Sequence, residues 1–537
     1  MKERIVVVGS GPSGVQFALT VLRKGHEVTL LDVGFPKPEE IRPEDSFNAL
    51  KRNLSDPVSY FYGEDYRGIL LPGPKKEFYG IPPGKDYVFR PPSGFSYESR
   101  GFSPLFSFAQ GGLAETWTGG CYPFNEAELE DFPFDYCALA PAYAEVARRI
   151  GISGARDDLA RFLPFHDGIL EPLELDTHSA RLLDEYEKRK QDLNARLGCY
   201  LGRTRVAALS RDLGGRPRCT NLGRCLWGCP TAAFYTPSLT LAECRTFPNF
   251  HYAPGLRVSH FKFDAGRHVT HVVAVPAAGG EPQEFPAGTL VLAAGALASS
   301  KIYLDSIYFA TGEIVALRGL MDNRQVLVPF VNLHLLGKQF NPDSYQYHQL
   351  GLGIESPRAR EYVHGQITTL KTGLLHPIIQ NLPCDMKTAT VLVRNLHCAL
   401  GIVNVNFHDT RRDDNLVTLE RDAPGGGTRL VIRYAPAAEQ AAYLNGRIGM
   451  VKKALRRLGC VVPPGMVYVR PMGASAHYAG TLPMSREKRE HATTPECRSQ
   501  EFENLFLVDG ATFPFLPAKN ITFTLMANAV RVAEAAF

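Results

Sequence analysis

Apolar and polar positions divide the chain into stretches of different period. Ile5 to Val8 is an unbroken apolar run. Gly9-Ser10-Gly11-Pro12-Ser13-Gly14 follows as a tight turn, and Val15, Ala18, Leu19 and Leu22 then recur at helical spacing until Gly25. Glu27 to Leu31 predicts a second strand ending at Asp32. Residues 35–105 are rich in Pro, Gly and Tyr without a clear period, which predicts long ordered loops. Residues 134–150 and 176–198 predict helices. Residues 251–293 alternate like a β-meander and end in Thr289-Leu290-Val291-Leu292-Ala293. Between 325 and 470, the runs Val391–Val393, Ile402–Phe407 and Leu430–Tyr434 predict strands around a helix from Ala437 to Leu458. This is an α+β block distinct from the βαβ opening. Leu505 to Val508 predicts a last strand, and an apolar helix runs on from Ile521. No repeat of 20–50 residues is visible.

Composition narrows the classes. The chain has 537 residues, 45% hydrophobic and 21% charged, with a formal net charge of +4. These are values for a folded globular protein of several domains, and they give no electrostatic case for a nucleic-acid partner. The first apolar run is too short for a signal-peptide core, and Gly9 interrupts it. No run of 18 apolar residues occurs, so no transmembrane helix is expected. The 11 cysteines then read as free thiols, and the expected location is cytoplasmic.

Gly9, Gly11 and Gly14 form G-x-G-x-x-G between a strand and a helix. The first permits the tight turn, the second lets a pyrophosphate approach the backbone, and the third lets helix and strand pack. The helix N-terminus offers free N–H groups to phosphates. Asp32, at the end of the second strand, suits the two hydroxyls of an unphosphorylated ribose. The small residues that end Thr289–Gly295, Ala294 among them, suit close backbone approach to a cofactor. With the late strand ending in Asp509-Gly510, they indicate a nucleotide domain built from both ends of the chain, which fits FAD better than NAD.

Five segments together resemble the glucose–methanol–choline (GMC) family of FAD-dependent oxidoreductases: VVVGSGPSG with LLDVG, GGLAETWTGG at 111–120, LVLAAGALASSKIYLDS at 290–306, SAHYAGTLPMS at 475–485, and NLFLVDGATFPFLPAKNITFTLMANAVRVAE at 504–534. The resemblance implies an α/β fold. A Rossmann-like FAD-binding domain would occupy 1–310, with flavin-covering loops at 35–125. A discontinuous α+β substrate-binding domain carrying an antiparallel sheet would occupy 311–475, and the chain would return to the FAD domain at 476–537. It also implies that Gly112, Trp117, Thr118 and Gly119 lie along the flavin, and that Val258, Ala294, Asp509, Gly510 and Thr522 join Gly9, Gly11, Gly14 and Asp32 around FAD. Where one branch of the family carries a flavin-linked histidine, this chain has Thr116, so non-covalent FAD is expected.

His477, in H-Y-A-G-T, matches the family's catalytic histidine, and Asn520 matches its second catalytic position. This His–Asn pair is similar to that of the pyranose-oxidase, cellobiose-dehydrogenase and cholesterol-oxidase branches; Ile521 stands where a proline is usual. A neutral imidazole, reference pKa about 6.5, can take a hydroxyl proton near pH 7. Asn520 can hold the oxygen, and it also reads as the N-cap of a helix starting at Ile521. The expected activity is oxidation of an alcohol (sugar, glycoside, polyol or secondary-metabolite hydroxyl), with dioxygen, a quinone or another acceptor taking the electrons. The alternative is a GMC-fold lyase, similar to hydroxynitrile lyases, with a structural FAD. Cys219, Cys225 and Cys229 lack the spacing of an iron–sulfur or zinc site and read as a packed loop without metal.

Overall fold

The computed structural model describes all residues except 1–3, 67–76, 78–80, 340, 342, 370–378, 380, 381, 423–426, 438 and 439. Part of the expected flavin-covering segment, 67–76 and 78–80, therefore lies outside the described residues.

Five strands form a parallel sheet in the order Leu505–Leu507, Thr289–Leu292, Arg4–Val8, Glu27–Leu31 and Phe250–Ala253. Alternation sends successive side chains to opposite faces. Ile5, Val7, Val28 and Leu30 join one apolar cluster with the helices Pro12–Arg23, Tyr136–Ile150 and Thr522–Ala536. Val6, Val8, Leu31, Leu290 and Leu292 join another with the helix Ala296–Thr311 and the antiparallel strands Leu256–Phe263 and Val269–Pro276. Both faces are covered, which is why these strands read as continuous apolar runs.

The second large sheet is antiparallel. Its main order is Cys460–Val461, Arg324–Asn332, Leu400–Phe407, Val363–Thr369, Leu350–Ile354 and Cys199–Arg203, with Tyr468–Val469 also pairing the second of these. One face is apolar: Val326, Val328, Ile367, Val403 and Val405 pack under the helices Thr177–Leu197 and Gln440–Arg457. The intervening positions carry Gln325, Gln366, Asn404 and Asn406, with Gln366 opposite Asn404 and Gln325 opposite Asn406 across neighbouring strands. The register thus gathers carboxamides on the face away from the helices.

Two expectations are corrected. Cys199–Arg203 lies within 1–310 but forms the edge strand of the antiparallel sheet, because Cys199 and Leu201 bury with Leu350 and Leu352 in one cluster. Val391–Val393 is not a strand but part of the helix Met386–Leu396. Asp385 caps it, its carboxylate accepting from Thr388 N at 3.0 Å, and the buried residues Ala389 and Val393 fall one helical turn apart. Among the described residues no helix is long and apolar enough to cross a membrane.

Candidate active site

A cavity of roughly 430 Å³ opens at the C-terminal ends of the parallel strands and extends to the carboxamide face of the antiparallel sheet. Ligands of open α/β sheets bind at such strand ends. Gly9, Gly11, Asp32, Gly112, Trp117, Thr118, Val258, Ala294, Asp509, Gly510 and Thr522 all line it, as do His477 and Asn520. Gly14 and Gly119 do not. A Cβ on Gly14 would stand 2.1 Å from the Gly9 carbonyl oxygen, so this glycine serves helix–strand packing. A Cβ on Gly119 would stand 2.5 Å from the Phe234 ring, so this position is tightly packed against that side chain.

The nucleotide end fits FAD. Gly9 has φ 101°, open to glycine and strained for other residues. A Cβ on Gly11 would meet only the Ala293 carbonyl oxygen, at 3.9 Å, leaving a cradle for a phosphate rather than a protein contact. Asp32 accepts from the hydroxyls of Ser10 and, at 3.2 Å, Tyr252. Burial pushes its carboxyl up to about 7 against these hydrogen bonds, as suits a carboxylate completed by further donors such as ribose hydroxyls. Ser10 also accepts from Gly111 N at 2.9 Å, which draws the 111–120 loop onto the first turn. Asp509 lines the cavity but turns its carboxylate inward. Oδ2 accepts from Gly295 N (3.0 Å) and Ser299 Oγ (2.5 Å), and Oδ1 from Ala511 N (3.0 Å). It fixes the turns at Gly295 and Ala511.

His477 sits on a tightly held loop. Gly473 N donates to Asp322 at 2.6 Å, Ser475 donates to the same carboxylate, and His477 N donates to Ser475 Oγ at 3.0 Å. Ala476 takes φ 60°, a left-handed conformation uncommon for a residue with a Cβ, directly before the histidine. The imidazole is 8% exposed, and its Nδ1 lies 3.0 Å from Asn323 Oδ1. Burial, reinforced by the Arg470 cation, lowers its pKa to about 4, so the ring is neutral at pH 7.

Asn520 is corrected in its capping role. The last helix starts at Thr522 with Ile521 as cap residue and no side-chain cap. The Asn520 carboxamide instead accepts from Gln366 Nε2 at 2.5 Å, across to the antiparallel sheet. Gln366, Gln325, Asn404 and Arg470 complete this wall of the cavity. Arg470 donates to Gln325 Oε1 (2.7 Å) and to Glu77 Oε1 (2.8 Å), and Gln325 donates to Asn406 Oδ1 (2.8 Å).

Sequence reasoning missed Asn323, Gln325, Gln366, Asn404, Arg470, Ser10 and Tyr252. The signal for the carboxamides was present: polar residues at alternate positions of strands that are otherwise Val and Ile. Alternation alone does not tell a cavity from solvent.

Residues 466–529, which carry His477 and Asn520, match the family model for GMC oxidoreductase. Over that segment the chain is similar to the GMC oxidoreductases. The whole chain is 23% identical to paromamine 6'-oxidase of Streptomyces fradiae, over 99% of this chain and 90% of the relative. It is 22% identical to 2-methyl-1,2-propanediol dehydrogenase of Mycolicibacterium austroafricanum, over 99% and 94%. Its fold matches an FAD-dependent oxidoreductase from Chaetomium thermophilum with a TM-score of 0.59 and 14% identity, covering 99% of this chain and 98% of the other. The cofactor of the family, FAD, is the group that the residues of the nucleotide end fit.

The cysteine loop stands apart from the cavity. Cys225 and Cys229 pack with Phe234 and Tyr345, and Cys229 Sγ accepts from Phe234 N at 3.4 Å.

Proposed function

We propose that this protein oxidises an alcohol C–OH to a carbonyl, with His477 as base and Asn520 as the group that holds the substrate oxygen. The carrying observation is a buried, neutral imidazole that lines the same cavity as Asn520. Bound FAD supplies the two-electron acceptor for the hydride leaving the substrate carbon. His477 takes the hydroxyl proton, and its burial keeps water from competing for the ring. Asn520 is tied to Gln366 and holds the oxygen through the free side of its carboxamide. The His–Asn pair favours the pyranose-oxidase, cellobiose-dehydrogenase and cholesterol-oxidase branch of the family.

The substrate reading is a neutral, hydroxyl-rich alcohol of the sugar, glycoside or polyol class. Gln325, Gln366 and Asn404 offer paired donors and acceptors to such a molecule, and the buried Asn404 Oδ1 has no hydrogen-bond partner among the described residues. Paromamine 6'-oxidase and 2-methyl-1,2-propanediol dehydrogenase are named for alcohol oxidation, which supports an oxidoreductase over a lyase. FAD is held without a covalent bond: among the described residues no cysteine lines the cavity, and Cys121 and Tyr122 are buried away from it. Dioxygen or a quinone takes the electrons onward.

The test is anaerobic mixing of the yellow enzyme with paromamine, 2-methyl-1,2-propanediol, sugars, glycosides and benzyl alcohol. A hydroxyl-rich member should bleach the flavin fastest. A flavin that no alcohol bleaches, in an enzyme that cleaves a cyanohydrin, would replace this reading by the lyase.

A further inference from the structure

Asn323 is 1% exposed and precedes the strand Arg324–Asn332. Its Nδ2 donates to the carbonyl oxygens of Phe407 at 2.9 Å and Pro517 at 2.7 Å. Its Oδ1 lies 3.0 Å from His477 Nδ1. A carbonyl oxygen only accepts, and an amide NH2 has two hydrogens to give. Turning the amide over would set Oδ1 against two carbonyl oxygens, so the orientation is determined by chemistry and not only by the placing of N and O. The atom facing His477 is therefore an acceptor, and Nδ1 must carry a hydrogen to meet it. A neutral imidazole has one N–H. Nε2, which has no hydrogen-bond partner among the described residues, is then the bare nitrogen.

We propose that Asn323 is a positioning residue that holds neutral His477 in its Nδ1–H form, so that Nε2 is the atom that takes the substrate proton. This rests on the reading of His477 as base. The bond survives the reaction: once Nε2 is protonated, Nδ1–H still donates to Asn323. The same carboxamide holds Pro517, three residues before Asn520, so one side chain ties together the two loops that carry the pair. The other ionisable groups acting on or near the ring are Arg470, His364 on the facing sheet and Asp322 behind Ser475.

Neutron diffraction from the deuterium-exchanged holoenzyme reads the assignment directly and needs no substrate. Deuterium on His477 Nδ1 with none on Nε2 is expected, and deuterium on Nε2 overturns the proposal. Two variants test the consequence with the alcohol that bleaches the flavin fastest. Asn323→Leu should slow flavin reduction about 10–100-fold at full FAD content. Asn323→Asp keeps an acceptor but adds charge, so the acid limb of the pH–rate profile should move up by about one unit or more. Equal rate losses in both variants with an unmoved acid limb would mean a merely structural role and also overturn it. If no alcohol bleaches the flavin, the reading of His477 as base falls while the neutron result still decides the tautomer.

Discussion

Lys519 and Glu128 form an ion pair in which neither side chain has any exposure. Lys519 Nζ also donates to the carbonyls of Pro123 (2.7 Å) and Phe162 (2.8 Å). Burial lowers Lys519 to about 8 and raises Glu128, both against their mutual attraction. The next residue is Asn520, so this pair seats the residue proposed to hold the substrate oxygen. Glu128→Gln leaves a buried ammonium without its counter-charge and should cost about 3–5 kcal/mol, read by urea denaturation. Adding Lys519→Met should restore most of that stability, since an apolar replacement of the pair needs no desolvated charge. A single variant as stable as the parent would contradict this account.

His477 is held neutral by burial, with a pKa near 4 against a reference of about 6.5. The acid limb of kcat/KM should therefore fall near pH 4 to 5. The stability sign follows from the same shift. Between about 4 and 6.5 the unfolded chain binds the proton and the folded one does not, so this group's contribution declines as pH falls through that window. His477→Ala should slow flavin reduction by about 10²–10⁴-fold with FAD retained. Asn520→Ala should slow it less. An acid limb at pH 6.5 would show that the ring titrates as if exposed.

Asp32 gives the opposite direction. Its carboxyl is raised to about 7 before ribose hydroxyls reach it. Those donors favour the carboxylate, so FAD binding should expel a proton below pH 7. Affinity should rise from pH 6 to 8 and then level off, as measured by flavin fluorescence quenching. Asp32→Asn should remove this pH dependence.

Gly11 and Gly14 separate cofactor approach from packing. Gly11 has φ −64° and room for a Cβ within the protein, whereas a Cβ at Gly14 strikes the Gly9 carbonyl. Gly11→Ala should leave the melting temperature of the apoprotein unchanged and weaken FAD binding at least 10-fold. Gly14→Ala should lower that melting temperature by displacing the first helix.

Acid precipitation should release the yellow colour into the supernatant. The residues best placed in the sequence to bond a flavin, Cys121 and Tyr122, are buried away from the cavity, and burial holds both protons tightly. A denatured chain heavier by one FAD would reverse this expectation.

The nucleotide end was legible because its constraints are local. Gly9, Gly11, Gly14 and Asp32 lie within one βαβ unit, where spacing along the chain is spacing in space. His477 and Asn520 were legible through the motifs around them. Their supports were not: Asn323 and Gln366 reach them from 154 residues away. No local pattern distinguishes an asparagine that orients an imidazole from one that caps a turn. Val391–Val393 shows the reverse failure, where β-branched residues suggested a strand and the Asp385 cap decided for a helix. Asp509 lines the cavity, and its carboxylate also holds backbone turns, a detail only the fold reveals.

The parallel sheet joins strands from opposite ends of the chain, with Leu290–Leu292 seated between the strand at Arg4–Val8 and the strand at Leu505–Leu507. During synthesis, at about 5–20 residues per second, the closing strand leaves the ribosome on the order of tens of seconds after the glycine turn. Until then the edge of Thr289–Leu292 is unpaired, and Gly510, Thr522 and the last helix have yet to complete the cavity. Cofactor capture is therefore a late event, governed by long-range strand pairing rather than by the early βαβ unit. For this chain the supply of FAD matters most once Leu505–Leu507 has emerged, when an open sheet edge either finds that strand or meets another nascent chain.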